Sequence, residues 1–181
     1  MRGHTEIIST SGSDPVTLAE AKAQLRIDFD TDDALIGVYI SAARTHCEAH
    51  LGFSLVAKSL KTTFNCFGPY QSLMGPLDSI TSVKYRDTNR TITTLATDQY
   101  TTTTGRTLRL YPATDSGWPD DVAFVPGAVV VEYTVLGDAT SNVKAAMLLI
   151  ITSLYENRDD GVRRFPTASK KLLDMEREHI F

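Results

Sequence analysis

The fold of this chain depends most on one stretch, SNVKAAMLLIITSLYENR, which covers residues 141–158. At helical spacing its apolar side chains leave almost no polar face, and a helix of that kind is buried on most sides. The stretch therefore predicts a spine helix on which the other elements pack.

Two amphipathic helices are predicted near the N-terminus, within residues 17–52. Thr17 and Glu20 have the spacing of a capping box, in which each side chain accepts a hydrogen bond from the other residue's backbone N–H. From Leu35 to Leu51 apolar residues recur every three or four positions, and Gly52 stands where a left-handed helix cap belongs. We predict that these helices form a hairpin whose apolar side faces the rest of the domain.

The middle of the chain is predicted to be β structure, because it is rich in β-branched residues and turn signals. The predicted strands cover residues 55–65, 80–85, 91–95, 100–104, 107–110 and 128–135. The last is apolar enough to be central. The fold class is therefore α+β: a mainly helical body, made of the N-terminal helix hairpin plus the buried spine helix, with a β-strand portion (55–135) between them and a C-terminal helical tail.

The two ends are predicted to lie outside the central domain, residues 17–160. Residues 1–16 are rich in Gly, Ser and Thr without a period, which is typical of a flexible arm with room for a short strand at 6–8. Residues 161–181 predict an extended linker and a final amphipathic helix. We expect that helix to be too detached to be needed for the core.

Composition and charge argue against several classes of protein. The chain has 181 residues, which fits one domain with arms, and 42% apolar residues, which predicts a modest core. A net charge of −4 and a pI near 5.5 argue against a general nucleic-acid binder, which neutralises phosphates with Lys and Arg. Cys47 and Cys66 make no disulfide framework, so we expect reduced thiols. We expect no signal peptide and no membrane span.

The most enzyme-like string is His46-Cys47-Glu48-Ala49-His50. Histidines four residues apart lie on one helix face and could share a metal ion, which is the hypothesis of a metal-dependent hydrolase using His46, Glu48 and His50. The metalloprotease pattern requires Glu directly after the first His, and Cys47 stands there. We therefore expect histidines on a helix surface and no metal site.

The acidic run at residues 28–33 matches a calcium loop only in part. It carries aspartates at three alternate positions, Asp28, Asp30 and Asp32. Asp33 and Tyr39, however, stand where the loop requires Gly and Glu. We expect these acids to cap the second helix and to favour its positive end. The sequence has no Gly-rich phosphate loop and no nucleophile elbow, so we predict no catalytic residue and no cofactor.

The single tryptophan, Trp118, lies in a Ser-Gly-Trp-Pro loop. Beside a proline, a tryptophan more often packs over the edge of a core than serves as a ligand platform. We predict the packing role. The competing hypothesis is a β-rich ligand-binding module that uses Trp118.

In their order, these segments resemble the phage head–tail connector, or adaptor, family of the HK97 gp6 and phiE125 gp8 type. The segments that carry the resemblance are VTLAEAK (16–22), LRID (25–28), DDALI (32–36), AAR (42–44), EAHLG (48–52), GPL (75–77), ITSVKY (80–85), GWP (117–119), VVVEYT (129–134) and LYENR (154–158). They are specific in combination and cover about residues 15–160. The chain departs from the family at residues 136–138, where a Gly-Tyr-Gly turn is common, and lacks its proline before the spine helix.

The resemblance implies a non-enzymatic virion protein of the neck at the portal vertex, made and assembled in the bacterial host cytoplasm. It implies a ring of copies, twelve-fold, that lies beneath the portal protein, extends the DNA channel and receives a downstream neck or tail protein. No membrane partner is implied. Genomic DNA would pass without sequence-specific binding, and an acidic lumen would not hold its phosphates. Candidate lumen acids are Asp78, Asp87, Asp120 and Asp121.

The portal contact is predicted to lie in the C-terminal segment, because its amphipathic helix follows an extended linker. The candidate portal-interface residues are Arg163, Arg164, Phe165, Leu172, Leu173, Met175, Ile180 and Phe181. The alternative assignment in the same setting is another neck or tail-completion subunit.

Overall fold

The computed structural model describes residues 3–113, 117–157 and 167–177. The chain divides into two compact units, each assembled from two stretches that are distant in sequence. The helical unit contains residues 13–56 and 138–181, and the β unit contains residues 1–12 and 57–137. Most of the β unit is thus inserted between the helices, in agreement with the predicted α+β fold.

The helices of the described residues are α1 (Leu18–Leu25), α2 (Asp33–Leu51), α3 (Ser141–Glu156) and α4 (Thr167–Glu176). Helix α3 is the predicted spine, and α1, α2 and α4 all pack against it. Its buried residues are Val143, Ala146, Met147, Ile150 and Ile151. Within the described ranges, no helix combines the length and the apolar composition needed to cross a membrane.

The ends of α1 and α2 follow from local chemistry. Thr17 Oγ1 accepts a hydrogen bond from Glu20 N at 3.2 Å, and Glu20 Oε2 accepts one from Thr17 N at 2.7 Å, so the predicted capping box is confirmed. Arg26 and Gly52 adopt left-handed conformations, with φ of 57° and 81°, immediately after α1 and α2. Glycine adopts that conformation without steric cost, which explains the end of α2 at the predicted position.

Two antiparallel sheets form the β unit. Their strands are β1 (His4–Thr10), β2 (Lys58–Phe64), β3 (Gln71–Met74), β4 (Leu77–Arg86), β5 (Ile92–Thr94), β6 (Tyr100–Thr102), β7 (Thr107–Pro112) and β8 (Val129–Val135). The larger sheet has the order β1-β2-β8-β4-β5, and the smaller has the order β3-β7-β6. Strand β8 is central in the larger sheet, as its valine-rich sequence predicted.

Both sheets contribute to one apolar core. The larger sheet contributes residues such as Leu60, Val83 and Val131, and the smaller sheet contributes Leu73, Leu108 and Leu110. The hydroxyl of buried Tyr133 on β8 lies 3.1 Å from Thr62 Oγ1 and accepts a hydrogen bond from Met74 N at 3.1 Å. Because Met74 belongs to β3, this hydroxyl joins the two sheets.

The structure differs from the sequence prediction at the N-terminus and in one loop. Residues 4–10 form β1, which pairs along β2 and includes the short strand predicted at 6–8, whereas the rest of this segment was predicted to be a flexible arm. Strand β3 was missed because its sequence, QSLM, has no β-branched residue, and its pairing with β7 supplies the stability that local propensity lacks.

Helix α4 belongs to the core of the helical unit, which corrects the prediction of a detached element. Leu173 is 1% exposed and lies in the core cluster with α2 and α3 residues. Asn142 Nδ2 donates to Glu176 Oε1 at 2.8 Å, and His50 Nε2 lies 2.8 Å from Asp174 Oδ1. The physical reason is that the apolar faces of α3 need more cover than α1 and α2 provide.

Replacing Leu173 by Ala should lower the free energy of unfolding of the helical unit by about 2–5 kcal/mol, because the substitution leaves a cavity in its core. Met175, two residues further along α4, is 75% exposed. Met175→Ala should therefore change that free energy by at most about 0.5 kcal/mol. Urea unfolding followed by far-ultraviolet circular dichroism measures both variants, and equal effects would contradict a core role for α4.

Tyr133→Phe should destabilise the β unit by about 1–3 kcal/mol, because Met74 N–H loses its acceptor. Burial also raises the pKa of Tyr133 above its ordinary value. The unfolded chain then loses its proton first, so the wild type should lose stability as the pH rises above about 10. Unfolding at several pH values should show that this alkaline loss is smaller in Tyr133→Phe. Tyr70→Phe, at a half-buried tyrosine of the β unit outside that core, is the control.

Candidate functional site

The metal-like string lies on the last turns of α2, but its members face different partners. Glu48 is buried, and its Oε1 accepts hydrogen bonds from Leu55 N at 2.9 Å and Ser54 Oγ at 3.3 Å. His50 is bound to Asp174 as described above. Burial, together with nearby His50, lowers the pKa of His46. In the described part of the chain, no group of three or more His, Cys, Asp or Glu side chains could hold a metal ion.

The acidic loop between α1 and α2 is held by one lysine. Lys22 Nζ lies 2.6 Å from Asp30 Oδ1 and 2.8 Å from Asp33 Oδ1. The hydrogen bonds that Lys22 donates to these two carboxylates raise the pKa of Lys22, and the bond from Lys22 lowers the pKa of Asp30. Asp32 stands at the N-cap of α2 but makes no side-chain cap bond, which corrects the capping prediction. Its Oδ2 instead accepts a hydrogen bond from Tyr155 Oη at 2.6 Å, because α3 brings that hydroxyl to it.

Trp118 packs over the edge of the β core, as predicted. Its indole stacks on Phe67 with ring centroids 4.2 Å apart and an interplanar angle of 6°. Its Nε1–H donates to the Gly68 carbonyl at 2.7 Å. One indole face and the polar edge are therefore engaged within the chain.

The outer face of the larger sheet carries a row of charges of alternating sign. Lys61 Nζ lies 3.7 Å from Glu6 Oε2, and Lys61 is opposite Glu132 in the β2–β8 register. Glu132 Oε2 accepts hydrogen bonds from Ser82 Oγ at 2.9 Å and Lys84 Nζ at 3.2 Å. These two bonds lower the pKa of Glu132, and the bond from Ser82 has the larger effect. The face is polar and nearly neutral across four strands.

Described residues of the β unit line two shallow clefts. The larger, about 270 Å³, is lined by Tyr85, Thr93, Leu95, Gln99, Gly117 and Pro119. Burial, with the nearby Asp121 carboxylate, raises the pKa of Tyr85, so its phenol is neutral at ordinary pH. The smaller cleft, about 100 Å³, is lined chiefly by Lys84, Arg86, Ile92, Gly127, Ala128 and Val130.

Both units expose large apolar side chains. They are Ile7, Ile8, Ile92, Phe124, Val125 and Leu136 in the β unit, and Leu18, Phe29, Val38 and Met175 in the helical unit. A contiguous exposed apolar patch marks an interaction site, whereas apolar side chains exposed singly are common on protein surfaces. Sequence reasoning did not single out Phe29, Ile92 or Phe124. The predicted hairpin turn at 86–90 could have indicated the position of Ile92, because the turn brings that residue opposite Arg86 on the neighbouring strand.

The predicted portal-interface residues have three members in the described part of the chain. Met175 is exposed, Leu172 is half-buried against the helical core, and Leu173 is inside that core. Leu173 is therefore unavailable to a partner in this conformation. Arg163, Arg164, Phe165, Ile180 and Phe181 lie outside the described residues.

The chain belongs to the family of phage gp6-like head–tail connector proteins, which matches residues 15–171. The resemblance inferred from the sequence is thereby confirmed. No curated protein matches the sequence significantly.

Solved structures share the fold. A chain in the neck of an empty gene transfer agent (GTA) particle, computed with C6 symmetry, has a TM-score of 0.78 at 18% identity, with 98% of this chain and 97% of that chain covered. A chain in the virion of a native GTA particle has a TM-score of 0.76 at 18% identity, with 98% and 96% covered. A chain in the neck of a native GTA particle, computed with C12 symmetry, has a TM-score of 0.69 at 19% identity, with 96% and 97% covered.

The two thiols should react at different rates. Cys47 is fully buried, and burial raises its pKa to about 12, whereas Cys66 is half-buried. At about pH 8, near the ordinary thiol pKa, Ellman's reagent should label one thiol quickly and the second only after unfolding. Cys66→Ser should remove the fast phase. If Cys47 in the folded chain reacted as fast as Cys66, its assignment as an inert core residue would be wrong.

Proposed function

We propose that this chain is a structural head–tail adaptor of a tailed phage or related particle, located in the neck of the virion. Twelve copies form a ring beneath the portal protein. The ring extends the DNA channel and receives the next neck or tail protein. The role is structural and involves no catalysis.

The observation that carries this proposal is the family match over residues 15–171. The GTA structures support it, because chains with this fold are found in necks computed with C6 and C12 symmetry. They are covered almost end to end, so the similarity involves both units. A cyclic assembly needs two different complementary patches on each subunit, and both units of this chain expose apolar side chains suited to that purpose.

The charge distribution supports passage of DNA without retention. By sequence, the β unit carries eight acidic and eight basic residues, and the helical unit carries fourteen acidic and ten basic residues. The chain thus has no unit with a basic excess that would hold phosphates. Two of the proposed lumen acids also have local roles, since Asp78 Oδ2 accepts a hydrogen bond from Thr134 Oγ1 and Asp87 Oδ1 accepts one from Thr91 N. Asp120 and Asp121 are both exposed, but the Asp121 carboxylate lies beside the Tyr85 phenol, so Asp120 is the better candidate for a lumen.

The portal contact is assigned to the C-terminal segment without Leu173. Met175 is its described apolar anchor, flanked by exposed charges of α4 such as Lys171 and Asp174. Arg163, Arg164, Phe165, Ile180 and Phe181 complete the proposed contact. A deletion of residues 162–181 would remove part of the helical core, so point variants are the appropriate test.

The purified chain should bind the portal protein encoded in the same genome and form a ring that caps it, observed by mass photometry and negative-stain imaging. Met175→Asp should weaken this binding by about tenfold or more, as expected when an apolar anchor becomes charged. Val38→Asp makes the same change at an exposed apolar position of α2 and is the matched control. Equal binding by the two variants would contradict the assigned portal contact.

The alternative, another neck or tail-completion subunit, predicts the opposite preference. In that case the chain would bind the downstream neck or tail protein and would not bind the portal. Binding to neither would overturn the adaptor proposal. The hydrolase hypothesis requires stoichiometric metal that is lost in both His46→Ala and His50→Ala, and the engagement of Glu48 with residues 54 and 55 argues against it.

A further inference from the structure

The smaller cleft of the β unit is both apolar and basic. It lies where the β4–β5 hairpin meets the start of β8, and its walls include Ile92, Ala128 and Val130. Ile92 is 63% exposed although it is a large aliphatic residue. The volume of the cleft, about 100 Å³, is two thirds of that of an engineered apolar cavity of ~150 Å³ that binds a benzene ring. The cleft is therefore of a size to accept much of a phenyl side chain.

The cleft carries one cation that is not compensated. Lys84 is already paired with Glu132, whereas the exposed Arg86 has no ion pair among the described residues. The backbone of Arg86 is fixed, because its N–H donates to Ala128 O at 2.8 Å and its carbonyl accepts from Ala123 N at 2.9 Å. A partner for this cleft should thus combine an aromatic ring with a carboxylate.

The helical unit presents such a combination in the loop between α1 and α2. Phe29 is 47% exposed and stands between the exposed residues Asp28 and Asp30. It is not among the residues that pack against the helical core. Lys22 anchors Asp30, so the segment is held in place before any partner arrives. Preorganisation of this kind reduces the entropy cost of binding.

We propose that Phe29 of one copy of this chain enters the cleft beside Ile92 of a second copy, with Asp28 facing Arg86. The inference rests on the proposed function, because it supplies the contact between neighbouring ring subunits. Loop and cleft are different patches, so the contact is heterologous and leaves a free loop on one copy and a free cleft on the other. Repetition of such a contact closes into a ring when the rotation between copies permits it. An exposed ion pair contributes little by itself, so the phenyl ring is the anchor and the charges select the register.

Two single variants test the contact in the full-length chain. Phe29→Ser removes the anchor and Arg86→Glu reverses the charge of the cleft. Each should weaken self-association by about tenfold or more, measured by sedimentation velocity over a concentration series. Val38→Ser and Lys144→Glu make the corresponding changes at exposed positions of α2 and α3, outside both proposed contacts, and should leave self-association unchanged. Circular dichroism melts identify any variant that fails to fold.

A mixing experiment gives the sharper test. The Phe29→Ser copy keeps an intact cleft, and the Arg86→Glu copy keeps an intact loop, so an equimolar mixture should form heterodimers that cannot grow further. The double variant Asp28→Arg with Arg86→Asp should recover part of the self-association that Arg86→Asp alone loses.

Two results would overturn this contact. One is assembly of both single variants as in the wild type. The other is failure of the wild-type chain to self-associate at any concentration tested. Neither result would refute the adaptor function, which binding to the portal tests separately.

Discussion

Helix α3 offers almost no polar face to water, and its burial is the constraint on which the helical unit depends. Helices α1 and α2, which precede the inserted strands, and α4, which follows them, all cover it. The chain must therefore leave the helical unit after residue 56 and return at residue 138. These two points are joined where Asp138 N–H donates to the Ser54 carbonyl at 3.3 Å. The inserted stretch begins with β2 and ends with β8. The start of β2 and the end of β8 are held close together, and the two strands pair along their whole length.

The ionisable residues that most resemble a reactive site in the sequence instead connect elements of the helical unit. Glu48 binds the backbone at the point where the chain leaves the helices, and Asp32 binds the hydroxyl of Tyr155 on α3. Lys22 holds the loop between α1 and α2. Buried or half-buried polar groups need such partners, since leaving one unpaired costs about 1–3 kcal/mol. These ionisable residues therefore stabilise the fold of the helical unit.

Sequence reasoning succeeded where the signal is local. The capping box at Thr17, the glycine cap at Gly52 and the apolar spine each depend on residues within a turn or two, and all three are present. It failed where a distant partner decides. Strand β3 is stabilised by β7, the N-terminal residues by β2, and α4 by α2 and α3. Asp32 was predicted to cap α2, but Tyr155, which is remote in sequence, takes its carboxylate.

Patterns along the chain were enough to predict the element types, most of their boundaries, the need to bury residues 141–156 and the membership of the connector family. Helix periodicity and capping residues depend on neighbours in the sequence, and family membership depends on the order of segments along the chain. Both can therefore be recognised without the structure. The three-dimensional packing was needed to show that the chain forms two units, that Leu173 is interior while Met175 is exposed, and that Ile92 and Arg86 line one cleft. Exposure depends on which distant residues cover a side chain, and two apolar residues in one helix can differ completely in that respect.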